Sequence, residues 1–259
     1  MTMMTIRGEP FHVRVEGDAN APALLLSNSL GTNLSMWDPQ VAQWAQHFRV
    51  VRYDSRGHGR SAAPDTPYSI AMLADDALAI LDALGIETAH WCGLSKGGMV
   101  GQWLATHHGE RFGKVVLANT GAYMGPPESW DARIRNVREN GMAVMVQPTL
   151  ERWFSPAFRE RGTETIARVS EMLATTPPLG YARCCAAIRD MDQRGTIQAI
   201  RNPVLVVIGK LDPATPPEAG HFIADAIPGA QRVEFDAAHL SNLEQPAAFS
   251  RAVLDFLKG

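Results

Sequence analysis

The chain has 259 residues, 46% hydrophobic and 20% charged, with a formal net charge of −3. That length buries a substantial core in one large α/β domain or two small ones, and the charge balance offers no basic field for nucleic acid. No apolar run approaches the roughly 20 residues that span a bilayer, and the start, MTMMTIRGEPFHV, lacks the regions of a signal peptide, so a cytoplasmic protein without membrane or nucleic-acid partners is expected.

The first half alternates strand-like and helix-like segments. Phe11–Glu16 reads as an early strand, and the continuous apolar run Ala23–Ser27 as a buried parallel strand. A helix is expected over Met36–His47, with Trp37, Val41 and Trp44 on one face. Arg49–Tyr53 is the next strand, and Ile70–Leu84 a helix with Met72, Leu73, Leu78, Leu81 and Leu84 inward. A β-prone run, Glu87–Cys92, leads into Gly93-Leu94-Ser95-Lys96-Gly97, and helical spacing follows over Gly98–His108. Lys114–Asn119 is another strand.

The rhythm breaks between about residues 121 and 198, a stretch rich in Trp, Met, Arg and Pro that reads as helical throughout. Strands return at Val204–Ile208 and Arg232–Phe235, and the chain closes on an amphipathic helix, Ala247–Leu257. Alternating β and α segments imply an α/β fold with a mostly parallel central sheet and helices on both faces. The expected organisation is a core of residues 1–120 and 199–259 carrying a helical lid, 121–198, above the sheet edge where such folds bind ligands.

The pentapeptide Gly93–Gly97 carries the chemistry. A serine between glycines, set between strand and helix, can be held on a sharp turn that presents its hydroxyl at the top of a parallel sheet. A serine hydroxyl is a weak nucleophile near neutral pH and needs a base, usually a histidine oriented by a carboxylate. In the hydrolase arrangement the order along the chain is Ser, acid, His. Of eight histidines, His239 follows the last expected strand, and Asp212 directly follows the strand Val204–Ile208. Asp225 lies in an expected helix, and Asp236 would have to double back to reach His239, so topology selects Asp212. The developing oxyanion needs two backbone N–H donors. One is expected from Lys96 at the helix N-terminus, the other from Leu30 in the loop after Ala23–Ser27.

Other chemistries find little support. There is no GK[ST] phosphate loop and no HExxH zinc motif. His107 and His108 are adjacent, so on a helix they point about 100° apart and share no metal. Cys92, Cys184 and Cys185 lack metal-ligand spacing and read as reduced, packed thiols. Neither a metal nor a cofactor is implied.

With Ser95, Asp212 and His239 placed, the chain resembles the α/β-hydrolase superfamily over its whole length, and Asp54-Ser55-Arg56-Gly57-His58-Gly59-Arg60-Ser61 is similar to that superfamily's D-x-R-G-x-G-x-S turn. Within it, Leu26–Thr32 followed by Met36-Trp37, then Phe48–Asp54, Arg152-Trp153-Phe154 and Ala238–Asn242, resemble the 3-oxoadipate enol-lactonases. Those enzymes usually carry Met after the nucleophile, where this chain has Lys96, whose ammonium is a candidate for altering substrate preference or holding an anionic substrate. The resemblance implies ring opening of a small anionic lactone to 3-oxoadipate, through an acyl-serine, in the bacterial catabolism of aromatic compounds. The substrate's carboxylate asks for a cation: of Arg133, Arg135, Arg138 and Arg152, Arg133 is chosen with Trp130 one turn before it, and Trp153 is placed in the same pocket. A carboxylesterase, another lactonase or a cofactor-free perhydrolase would share fold and triad, a non-catalytic receptor would share only the fold, and oligomeric state, including a homo-oligomer, stays open.

Overall fold

In the computed structural model, residues 2–259 are described. Eight strands form one sheet: β1 (Thr2–Ile6), β2 (Glu9–Glu16), β3 (Ala23–Ser27), β4 (Arg49–Tyr53), β5 (Ala89–Leu94), β6 (Phe112–Ala118), β7 (Val204–Gly209) and β8 (Gln231–Phe235). Their spatial order is β1-β2-β4-β3-β5-β6-β7-β8. The first two pairings, β1 with β2 and β2 with β4, are antiparallel, and every later pairing is parallel. The central strands β3 and β7 are buried at every position, as continuous apolar runs covered on both faces should be. The edge strands β1 and β8 bury only their last residue fully.

Period-two alternation sorts the sheet into two cores. Leu25, Val51, Trp91, Val115, Leu117 and Val206 face one side, against α2 (Ile70–Ala83), α3 (Lys96–His107) and α9 (Pro217–Ala226). Leu24, Leu26, Val50, Cys92, Val116 and Val207 face the other, against α1 (Asp38–Trp44) and α11 (Pro246–Lys258), where Trp37, Trp44 and Phe249 pack ring against ring. A short α10 (Ser241–Glu244) precedes α11.

Between β6 and β7 run five helices: α4 (Pro127–Asn140), α5 (Ala143–Trp153), α6 (Pro156–Arg161), α7 (Thr163–Thr175) and α8 (Pro178–Arg189). The two ends of this excursion meet, for Tyr123 and Asp192 form an antiparallel bridge and Gln193 N–H donates to the Ala122 carbonyl at 2.8 Å. α4 and α8 add Trp130, Val137, Tyr181 and Ile188 to the first core, whereas α5 to α7 add Leu150, Trp153, Phe158 and Leu173 to the second. The segment is thus packed down on both sides of the sheet's C-terminal edge.

Two expectations needed correction. The helix Met36–His47 is split: Leu34–Trp37 is a 3₁₀ turn, and α1 begins at Asp38 because Pro39, which has no N–H, belongs in a first helical turn. The strand Thr2–Ile6 was not anticipated, since its alternation is carried by polar and methionine side chains on an exposed edge. Among the described residues, no helix is long and apolar enough to cross a membrane. All three thiols are unpaired and buried.

Candidate active site

Ser95 joins β5 to α3 with φ 57° and ψ −115°, a left-handed conformation that side chains other than glycine rarely adopt. Its neighbours explain how the strain is held. A Cβ on Gly93 would run into the Gly97 carbonyl, and one on Gly97 into the Ser27 carbonyl, so backbone packs directly on backbone either side of the serine. Ser95 N–H donates to the Ala118 carbonyl at 2.8 Å, and the Thr120 hydroxyl donates to the Ser95 carbonyl at 2.8 Å.

His239 follows β8 and Asp212 follows β7, as their places in the sequence suggest. His239 Nδ1–H donates to Asp212 Oδ2 at 2.8 Å, and the two residues are each 2% exposed. With Nδ1 so engaged, Nε2 at the far side of the ring is the nitrogen left to act as a base. The carboxylate is well supplied with donors: Thr215 Oγ1–H and Asn119 Nδ2–H reach Oδ2 at 2.6 and 3.1 Å, and the N–H groups of Ala214 and Thr215 reach Oδ1 at 2.8 and 3.0 Å. Burial alone would raise the Asp212 pKa, but the imidazole and the Thr215 hydrogen bonds outweigh it and hold the carboxyl below its ordinary value. The rejected candidate Asp236 is exposed and pairs with Lys210, and Asp225 faces Arg232 on the surface.

Ser95, His239 and Thr215 line one cavity of about 480 Å³, its mouth included, together with Ser29 and Leu30 from the loop after β3. In that loop Ser29 N–H points to Met36 Sδ at 3.4 Å, and Gly31 N–H donates to His58 Nε2 at 2.8 Å. Across the site, Gly97 N–H donates to the Asn28 carbonyl at 3.2 Å. Among the described residues the N–H groups of Leu30 and Lys96 have no protein acceptor; Lys96 directly follows Ser95 in the chain, and Leu30 lines the same cavity as the serine. Backbone donors left free at the mouth of a helix can receive a developing negative charge.

The rest of the cavity is roofed by Trp130 and Arg133 of α4, Arg152 and Trp153 of α5, and Tyr181 of α8. All three roof residues expected from the sequence, Trp130, Arg133 and Trp153, therefore lie on the cavity wall. The Arg133 guanidinium lies 4.6 Å over the Trp130 ring, whose N–H donates to the Met124 carbonyl at 2.5 Å. The Trp153 ring lies beside the His239 imidazole, tilted by 33°, with ring centroids 5.7 Å apart. Burial, and then the charge of Arg133, pull the Arg152 guanidinium below its ordinary value. Neither arginine is paired with a carboxylate among the described residues.

Sequence reasoning passed over several residues. Arg152 stood among the candidates without being chosen, because spacing on α5 does not say which face meets the cavity. Asn119 ties Asp212 to the Ala238 carbonyl from a left-handed position, φ 43°, at the end of β6, a role with no signature along the chain. The expectation for the Lys96 ammonium is corrected. Lys96 is 1% exposed, and its Nζ donates to Ser55 Oγ at 2.6 Å beneath the site, so it does not face the cavity where a substrate's carboxylate would lie.

Known proteins share this sequence and fold. The model of the alpha/beta hydrolase fold matches residues 22–246. The chain is 45% identical to 3-oxoadipate enol-lactonase 2 of Acinetobacter baylyi, over 93% of this chain and 91% of that protein. It is 40% identical to 3-oxoadipate enol-lactonase 1 of the same organism, over 99% and 96% of the two chains. The crystal structure of the enol-lactonase from Burkholderia xenovorans LB400 superposes with a TM-score of 0.98 at 44% identity, covering 100% of both chains. A serine strained between two glycines, a histidine and carboxylate in the hydrolase order and this likeness over nearly the full length place the chain in the α/β-hydrolase fold family, among its enol-lactonases.

Proposed function

We propose that the protein is a serine hydrolase that opens 3-oxoadipate enol-lactone to 3-oxoadipate, a step of the β-ketoadipate pathway of aromatic catabolism. Ser95 Oγ attacks the lactone carbonyl as His239 Nε2 takes its proton, and Asp212 steadies the imidazolium that forms. The N–H groups of Leu30 and Lys96 receive the oxyanion. Collapse breaks the ring C–O bond, leaving an acyl-serine and an enolate that becomes a ketone by taking up, at carbon, the proton that His239 carries, which returns the imidazole to its neutral form. An enol is a far better leaving group than an alcohol, so this step asks little of a general acid. His239 then activates water, and hydrolysis of the ester frees Ser95 and a second carboxylate. The helices α4 to α8 serve as a lid that brings the substrate-binding side chains over the serine. The three reduced thiols suit a cytoplasmic setting.

The observation that carries the substrate class is the pair Arg133 and Arg152, two guanidiniums without carboxylate partners over the cavity of Ser95. Two cations held this close in a partly desolvated wall repel one another unless an anion lies between them. A lactone bearing a free carboxylate meets that need, and a neutral ester does not. The test is kcat/KM for the enol-lactone beside p-nitrophenyl acetate. A large preference for the lactone is the expected result; equal values would leave a serine hydrolase of another substrate.

A further inference from the structure

One turn, residues 54–61, makes a buried contact toward each of the two oxyanion donors: His58 accepts the N–H of Gly31, next to Leu30, and Ser55 accepts from the side-chain ammonium of Lys96. Leu30 and Gly31 are the central residues of a tight turn closed by Thr32 N–H to the Ser29 carbonyl at 3.3 Å. Gly31 has φ +79°, the value such a turn requires at its third residue, and a Cβ there would strike Leu173 and Tyr181. The peptide between Leu30 and Gly31 is pinned by His58, whose Nε2 accepts the Gly31 N–H at 2.8 Å. His58 has no exposed surface, and its Nδ1–H donates to the Arg56 carbonyl at 3.2 Å, which fixes the tautomer with Nε2 as acceptor. Burial, and then the nearby Lys96 ammonium, hold this imidazole well below its ordinary pKa, so the acceptor is not protonated away.

The second donor is tied to the same turn. Lys96 reaches under the site so that Nζ meets Ser55 Oγ at 2.6 Å, three residues before His58. The turn itself is closely bonded. Asp54 accepts hydrogen bonds from the Leu34 and Arg60 N–H groups at 2.8 and 2.9 Å, and the Arg56 guanidinium grips Asp76 at 2.6 and 2.7 Å.

We propose that the 54–61 turn sets the oxyanion hole, with His58 positioning Leu30 through the Gly31 N–H and Lys96 anchored to the same turn through Ser55. His58 and Ser55 are positioning residues, since neither lines the cavity. The proposal rests on Leu30 and Lys96 being the oxyanion donors.

The test uses the full chain as wild type, H58L, H58Q, H58N and S55A, with active sites counted by a fluorophosphonate. For each, kcat and KM for the enol-lactone are measured beside Ki for a carboxylate-bearing trifluoromethyl ketone, which forms an oxyanion when the serine adds to it. Losing one oxyanion donor outright costs about 10²–10³ in kcat, so misplacing one in H58L is expected to cost about tenfold to a hundredfold. KM should stay within about twofold, because the defect is felt only in the transition state. Ki for the ketone should weaken in step with kcat. Gln offers an amide oxygen to Gly31 and should recover most of the rate, and S55A should show a smaller loss of the same kind. If H58L fails to fold, H58N, too short to reach Gly31, carries the comparison against H58Q. A merely structural role would lower the count of active sites without moving kcat per site or Ki. An H58L or H58N enzyme with unchanged kcat and Ki per active site overturns the proposal alone. An active wild type that the ketone does not inhibit removes the oxyanion reading and the proposal with it.

Discussion

The floor and the roof of the cavity are built by different means. The floor is fixed by backbone contacts and a dense hydrogen-bond net: a strained serine wedged between glycines, one free N–H from the loop after β3 and one from the start of α3, and an acid held by Thr215, Ala214 and Asn119. The roof is side chain: arginines and tryptophans projected from α4 and α5. The floor's groups are placed by hydrogen bonds with few alternatives, so it can perform one kind of reaction on many acyl compounds. The roof's groups are placed by helix packing and can be exchanged singly, so it decides which acyl compound is held.

The largest effects should come from the floor. Replacing Ser95 by Ala is expected to lower kcat by about 10⁵–10⁶, and Asp212→Asn by about 10⁴ through the wrong His239 tautomer, both with KM little changed. Steady-state kinetics with the lactone measures both, and an Asp212→Asn enzyme near full activity would break the assignment of the acid. Roof variants should act the other way. Arg152→Ala and Arg133→Ala are each expected to raise KM for the anionic lactone about tenfold to a hundredfold, while p-nitrophenyl acetate is scarcely affected. A parallel loss on both esters would mean that the arginines support the fold rather than the carboxylate.

A smaller effect is expected where roof meets floor. Glu244, buried in α10, accepts Ser155 N–H at 2.6 Å, the Ser155 hydroxyl at 2.9 Å and Ala238 N–H at 3.4 Å. It thus fastens the corner after Trp153 to the loop of His239, where Leu240 N–H also donates to the Trp153 carbonyl at 3.2 Å. Glu244→Ala strands those donors and should destabilise the fold by about 2–3 kcal/mol, read as a lower denaturation midpoint. If the roof is fastened there, KM should rise as well. An unchanged midpoint would place the fastening elsewhere.

The smallest effect is on pH stability. The Asp212 carboxyl lies below its ordinary value when folded, so its contribution to stability is present above the unfolded carboxylate value of about 3.9 and fades as pH falls through the lower folded value. The gap in denaturation midpoint between the wild type and Asp212→Asn should therefore be constant near neutrality and close only in strong acid. A gap that closes nearer pH 6 would assign the linkage to another group.

The floor was largely legible beforehand because its signals are local. The elbow lies within the few residues joining β5 to α3, where glycines answer directly to backbone contact. Asp212 and His239 each directly follow a strand, and the order of strands along the chain brings strand ends together. The roof was legible only as a helical stretch rich in arginine and tryptophan. Arg135 and Arg138 share α4 with Arg133, yet only Arg133 lies on the cavity wall, and Arg152 joins it from a different helix.

The sequence by itself determined the parallel part of the sheet, the elbow and the order of the candidate triad residues, since hydrophobic period and glycine placement are properties of neighbours along the chain. The tertiary structure alone decided which arginines face the serine, that the Lys96 ammonium turns away to Ser55, and that His58 and Asn119 reach across the fold to Gly31 and Asp212. Those contacts join residues 27 to 93 positions apart, and their partners are chosen by how helices and strand ends pack, which no local pattern records.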